Sequence, residues 1–205
     1  MTDKKALNAL ISIKNWGQSS ELEKLLKYNS NTISLFHVMG KSSYIIDAAF
    51  ISKSDLEDWI RLIKGVSLPG GVPAILDLQT RKIIEVNKGK QKFSLTDYMK
   101  TPDMLHFFMF IDTSGESNDL IESIQKMDSV FAALHIQGEH SYVIEIIAEN
   151  YNDFKNILTE IKKLESVNRV ETQEVISVLK YRGEISDDKG NLLFPEEDTR
   201  EMYTL

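Results

Sequence analysis

The chain repeats itself at an offset of 98 positions, and that duplication limits its fold more than any other feature. Laid on itself without a gap from about Lys5 to Val66, it sets Gly17 on Gly115, Leu22 on Leu120 and His37 on His135. Gly40, Ser43, Tyr44 and Ile46 fall on Gly138, Ser141, Tyr142 and Ile144, and Asp55, Ile63 and Lys64 on Asp153, Ile161 and Lys162. Past Val66 the first copy carries about six extra residues, Pro69-Gly70-Gly71 among them. The offset then becomes 92, so that Thr80 to Val86 lies on Thr172 to Val178. A repeat of nearly a hundred residues has the size of a domain, not of a solenoid unit. Two domains of about 100 residues are therefore expected in these 205.

Periodicity gives each copy the order strand, helix, strand, strand, helix, strand. Leu7, Ala9, Ile11 and Ile13 alternate along a strand over residues 7–14, whose counterpart, residues 105–111, is apolar almost throughout. Leu22, Leu25 and Leu26 space a helix over 21–28; Leu120, Ile121 and Ile124 space one over 119–127. Hairpins follow, with Gly40-Lys41-Ser42-Ser43 and Gly138-Glu139-His140-Ser141 as turns between β-rich runs. Second helices begin at Ser54 and Asn152, and closing strands run over 76–86 and 170–181. This string predicts an α+β class of two tandem ferredoxin-like βαββαβ plaits. The helices of such a plait cover one sheet face. The other face here is rich in Leu, Ile, Phe and Tyr, and burying it is worth on the order of 25 cal/mol per Å². Sheet-to-sheet packing of the dimeric α/β-barrel type is therefore expected. The domains are placed at 1–92 and 104–185, with a linker at 93–103 and an acidic extension at 186–205.

Composition removes several functions. The net charge is −7, a poor basis for gripping a phosphate backbone, so no direct nucleic-acid binding is expected. Without cysteine there is no disulfide, thiol nucleophile or thiolate metal site, which suits a cytoplasmic location. The N-terminal residues have no signal-peptide pattern, and no apolar run reaches membrane-span length, so no membrane partner is expected. Pro69-Gly70-Gly71 lacks the Gly-Lys-Ser/Thr signature and reads as a turn. His106, His135 and His140 fall on different strands without ligand spacing, so no metal site and no cofactor is expected. No Ser-His-Asp or Cys-His spacing can be read, and the chain is expected not to be an enzyme, with no catalytic residues.

The hairpins carry a family resemblance. Val38-Met39-Gly40-Lys41-Ser42-Ser43-Tyr44-Ile45-Ile46 and Ile136-Gln137-Gly138-Glu139-His140-Ser141-Tyr142-Val143-Ile144, with the passage Leu164 to Lys180 and its Val-x-Thr-x-x-Val-Ile-x-Val ending, resemble the effector-binding (RAM) domain of the Lrp/AsnC, or feast/famine, regulators. The second copy matches from Met104 to Gly183; the first is more divergent. The resemblance implies a transcription-regulator-related sensor that binds a small effector, an amino acid among the candidates, where domains meet. It would act as a homo-oligomer or by hetero-assembly with Lrp/AsnC-type regulators. The family's helix-turn-helix is not seen ahead of the first strand, so assembly rather than DNA contact is the expected output.

Mapped onto this sequence, the effector site would include Gly40, Ser43, Gly138 and Ser141. Many family members have Asp where Ser43 and Ser141 stand, and a serine offers an ammonium only a neutral bond. Asp47, Glu139 or Glu145 would then supply the charge, with His37 and His135 as polar groups beside the turn. Two alternatives stand beside this sensor: a dimeric α/β-barrel enzyme of the small monooxygenase type, with His37 and His135 in its pocket, and a ligand-free scaffold.

Overall fold

In the computed structural model, residues 7–89, 104–115, 117–186 and 192–193 are described. They form two compact units, one of residues up to Arg81 together with those from Ser177 onward, the other Lys82–Ile176. The linker expected at 93–103, and all but residues 186 and 192–193 of the C-terminal extension, lie outside the described residues.

The first unit contains β1 (Leu7–Asn15), α1 (Ser20–Tyr28), β2 (Thr32–Met39), β3 (Tyr44–Phe50) and α2 (Lys53–Lys64), then the first half of β4 (Ile75–Lys88). The second holds the rest of β4, then β5 (Leu105–Thr113), α3 (Asn118–Ile124), β6 (Val130–Gln137), β7 (Tyr142–Ala148), α4 (Tyr151–Lys162) and the first part of β8 (Val167–Tyr181). The end of β8, β9 (Glu184–Ser186) and β10 (Leu192–Leu193) belong to the first unit. The strand order is therefore β10-β9-β8-β2-β3-β1-β4 in the first unit and β4-β6-β7-β5-β8 in the second. This is the α+β arrangement that the alternation predicts, with central strand pairs antiparallel (Ile11 opposite Ile46, Met109 opposite Ile144).

Helix starts follow side-chain chemistry. The Ser19 hydroxyl accepts from Leu22 N at 3.2 Å, Ser52 from Asp55 N at 3.2 Å, and Asn150 from Asn152 N and Asp153 N at 3.0 Å. Helix α3 stops at Ile124, short of the expected 127, because Lys126 N and Met127 N donate three residues back to Ser123 O and Ile124 O and wind the chain into a tighter turn.

Each unit has its own helix-side core. Ile11, Leu22, Leu26, Leu35, Ile46, Trp59 and Ile63 make the first; Met109, Ile111, Leu120, Ile144, Ile146, Phe154 and Ile161 make the second. The opposite sheet faces, expected to need cover, are buried as well: Leu10 and Ile45 in the first unit, Phe108, Phe110 and Val143 in the second. Each such side chain contributes roughly 2 kcal/mol by leaving water.

The returning end of β8 is fastened into the first unit by polar bonds. Arg182 N donates to the Ser34 hydroxyl at 3.2 Å and Gly183 N to Ile33 O at 3.0 Å. The Lys180 amine donates to the carbonyl of Asn29, the residue that ends α1, at 3.0 Å. Lys180 is buried, and burial pulls its pKa from 10.5 down to about 8. Between those values the unfolded chain holds the extra proton, so stability rises with pH across that window and is lowest below about 8. Lys180→Met is expected to unfold later in urea at pH 7.5, by about 1 kcal/mol, and the wild type to close that gap at pH 10. Equal pH slopes for the two proteins would contradict this.

Candidate functional site

The strongest site geometry sits at the hairpin end of each sheet, on its helix side, and it is built twice. In the first unit Ser43 N donates to Ile13 O at 2.8 Å and Val38 N to Ser43 O at 2.9 Å; in the second Ser141 N donates to Ile111 O at 2.9 Å and Ile136 N to Ser141 O at 2.9 Å. The serine hydroxyls repeat as well: Ser43 Oγ accepts from Asn15 N at 3.3 Å, and Ser141 Oγ from Thr113 N at 3.2 Å. So both serines bridge the turn to the end of the first strand of their unit. Next to each, a histidine lies against the tyrosine that begins the following strand. The His37 and Tyr44 rings are 5.3 Å apart, and the His135 and Tyr142 rings are stacked at 4.9 Å. Gly40 turns the first hairpin at φ 143°, a conformation that glycine alone adopts readily.

In the second unit these residues line a cleft of about 510 Å³, within the size range of small-molecule sites. Its walls are Thr113, Gly115, Ser117, Asn118, Ile121, His135, Ser141 and Tyr142. Ser117 precedes α3 at the capping position, yet its side chain makes no cap bond. Its hydroxyl donates instead to the Tyr142 phenol at 2.8 Å, and both groups are buried. The equivalent Ser19 does cap α1. Forgoing a cap gives up about 1 kcal/mol, and local rules are broken in this way chiefly where a site needs the group.

In the first unit the tyrosine has a different partner. The Tyr44 phenol donates to the Glu23 carboxylate at 3.4 Å. Burial, then the Glu23 charge and this bond, push Tyr44 up to about 12. Glu23 stands where the second unit has Ile121.

The remaining expected site residues lie elsewhere. Gly40, Gly138 and Glu139 are in the exposed turns. Asp47 and Glu145 alternate onto the sheet faces turned away from the helices, since their neighbours Ile46 and Ile144 belong to the helix-side cores. There Glu145 meets His106, with Oε1 and Nε2 2.9 Å apart, both side chains largely buried. The distance is that of an ion pair. At the second hairpin His140 is buried with Nδ1 2.7 Å from Asp112, while its Nε2 is 3.7 Å from Glu171. Sequence reasoning missed Thr113, Ser117 and Ile121. Only Ser117 has an identical residue, Ser19, 98 positions before it; Thr113 and Ile121 stand opposite Asn15 and Glu23, so the repeat did not mark them.

A family model of the Lrp/AsnC ligand binding domain matches residues 106–185, which contain every wall residue of the cleft. Comparison with curated proteins finds no match. Among solved structures, Escherichia coli AsnC is 17% identical over 42% of this chain and 58% of its own, with TM-score 0.36. A transcriptional regulator of Neisseria meningitidis in complex with L-Met is 16% identical over 45% of this chain and 63% of its own, with TM-score 0.39. This chain thus spans less than two thirds of either regulator. Siroheme decarboxylase NirDL aligns over 87% of this chain and 74% of its own at 9% identity, with TM-score 0.60. A mutant chlorite dismutase from Candidatus Nitrospira defluvii in complex with cyanide aligns over 86% and 92% at 9% identity, with TM-score 0.52.

At such identity the likeness is one of fold, a ferredoxin-like α+β fold. It nonetheless corrects the expectation of a non-enzymatic chain, because these two structures, which match most of the chain, are those of enzymes. That expectation rested on missing nucleophile motifs. One scaffold carries binding and catalysis alike, and acid–base or cofactor chemistry needs no such motif.

Proposed function

We propose that the chain is a small-molecule sensor related to the Lrp/AsnC regulators, and that its effector enters the cleft under the second hairpin. The observation that carries this reading is Ser117, which leaves its helix uncapped to bond Tyr142 inside that cleft. The family match over residues 106–185 supports it. In this reading both units are copies of the ligand-binding domain, as the bonds repeated at Ser43 and Ser141 suggest. Ser141, His135 and Tyr142 face the effector, with Gly138 and Glu139 at the turn above; Ser43, His37 and Gly40 are their counterparts. Amino acids are the first ligand class to offer, since L-Met is bound by one regulator of similar fold. The ligand state passes on through assembly, with a second copy or with regulators of the same kind. The net charge of −7 suits this better than direct contact with phosphates.

The test is thermal unfolding with each of the twenty amino acids. A ligand at 100 times its Kd adds about 2.7 kcal/mol, so at least one should raise Tm by several degrees. Ile121→Trp, which fills the cleft, should abolish the rise. If no amino acid shifts the wild type, the amino-acid reading falls.

A catalytic reading has one observation of its own, the buried His106–Glu145 pair, an imidazole and a carboxylate of the kind that exchange protons in general acid–base catalysis. The substrate class to offer is the tetrapyrrole named for the decarboxylase. A change in the visible absorption of siroheme on mixing would favour this reading, and an unchanged spectrum would remove it.

A further inference from the structure

The two hairpin sites share a frame and differ at one position that decides charge. Ser43 and Ser141 repeat in identity and bonding, and the His37–Tyr44 and His135–Tyr142 ring contacts repeat, while the two tyrosine hydroxyls take different partners. Helix position 121 is an isoleucine in the wall of the second unit's cleft, and its counterpart is Glu23. The Glu23 carboxylate reaches the Tyr44 phenol from half-buried surroundings and has no cationic partner among the described residues. A carboxylate in that position bonds a cation and repels a ligand's own carboxylate, whereas an isoleucine does neither.

We infer that the chain has two effector sites of different charge preference, with position 23/121 as the selectivity residue: Glu23 gives the first unit a site for a primary amine lacking a carboxylate, and Ile121 leaves the second unit open to a zwitterion. This rests on the reading of the second hairpin's cleft as an effector site and of the first hairpin as its counterpart. The Tyr44 phenol, held protonated far above neutral pH, stays a donor to Glu23 and fixes the carboxylate for the incoming ammonium. The same frame would thereby report an amino acid in one unit and a decarboxylated amine in the other.

Isopentylamine and L-leucine, which differ by one carboxylate, are the probes. The full chain, labelled with 15N, is titrated with each while the amides of His37, Ser43 and Tyr44 and those of His135, Ser141 and Tyr142 are followed. Isopentylamine should shift the first set saturably, with Glu23→Gln weakening it at least tenfold. Ile121→Glu should let the amine shift the second set. The inference is overturned if Glu23→Gln leaves the amine affinity within twofold, if the amine moves neither set, or if L-leucine moves the first set as strongly as the amine. Each of these can occur while the amino-acid melting screen succeeds, so the failure of the charge rule is separable from the failure of the sensor reading.

Discussion

Gly89→Ala should destabilise the chain by about 3 kcal/mol, near the upper end of what single substitutions do. The glycine follows β4 in the second unit, where its N donates to Phe131 O at 2.8 Å. A Cβ there would lie 1.9 Å from Val130 O, 2.6 Å from Val130 C and 2.9 Å from Phe131 O. These are backbone atoms of β6 and cannot rotate aside, so the strand ends must part and the bond with Phe131 must lengthen. Gly17→Ala is the control, because a Cβ at Gly17 meets nothing within 4 Å. Urea unfolding should give a clearly lower midpoint for the first variant and a midpoint within about 0.5 kcal/mol of wild type for the second. Equal midpoints would mean that β4 does not close on β6 as described.

The second large effect is expected from the buried His106–Glu145 pair. Glu145→Met alone should lose about 3 kcal/mol, since it removes the carboxylate that lies 2.9 Å from a buried imidazole. The double variant His106→Leu with Glu145→Met should recover most of that loss, because apolar residues of similar volume avoid the desolvation that the pair itself carries. Equilibrium unfolding of the four proteins gives a coupling energy, expected at about 2 kcal/mol. Additive losses would show that the 2.9 Å approach contributes no interaction of its own.

Much of the fold was legible because alternation and capping report local physics. The strand Tyr142–Ala148 reads as apolar on both sides, and all seven of its residues are buried. The second helices, expected to begin at Ser54 and Asn152, start within a residue of those positions, with Ser52 and Asn150 as their caps. The passage of β4 and β8 from one unit to the other was not legible, because a strand that runs from one unit into the next keeps the same alternation. Of the site, His135 and Ser141 were legible as duplicated polar residues at a glycine turn. Ser117 was hidden because a serine before a helix ordinarily signals a cap, and only the fold shows its hydroxyl turned to Tyr142. Glu145 and Asp47 looked like candidate ammonium partners by sequence proximity to the hairpin. Strand pleating sends them to the other sheet face from Tyr142 and Tyr44. Glu23 sits at a position where the repeats differ, so a search for shared residues passes over it.

The effector claim is tested most directly by mapping where a ligand lands. In the 15N-labelled chain, the amino acid that most raises Tm should shift the amides of Thr113, Ser117, Ile121, His135, Ser141 and Tyr142 saturably, with a single Kd, and Tyr142→Phe should weaken it about tenfold, the loss of one good hydrogen bond. Saturable shifts confined to other residues, or none in the presence of any amino acid, would contradict the assignment of that cleft as the effector site.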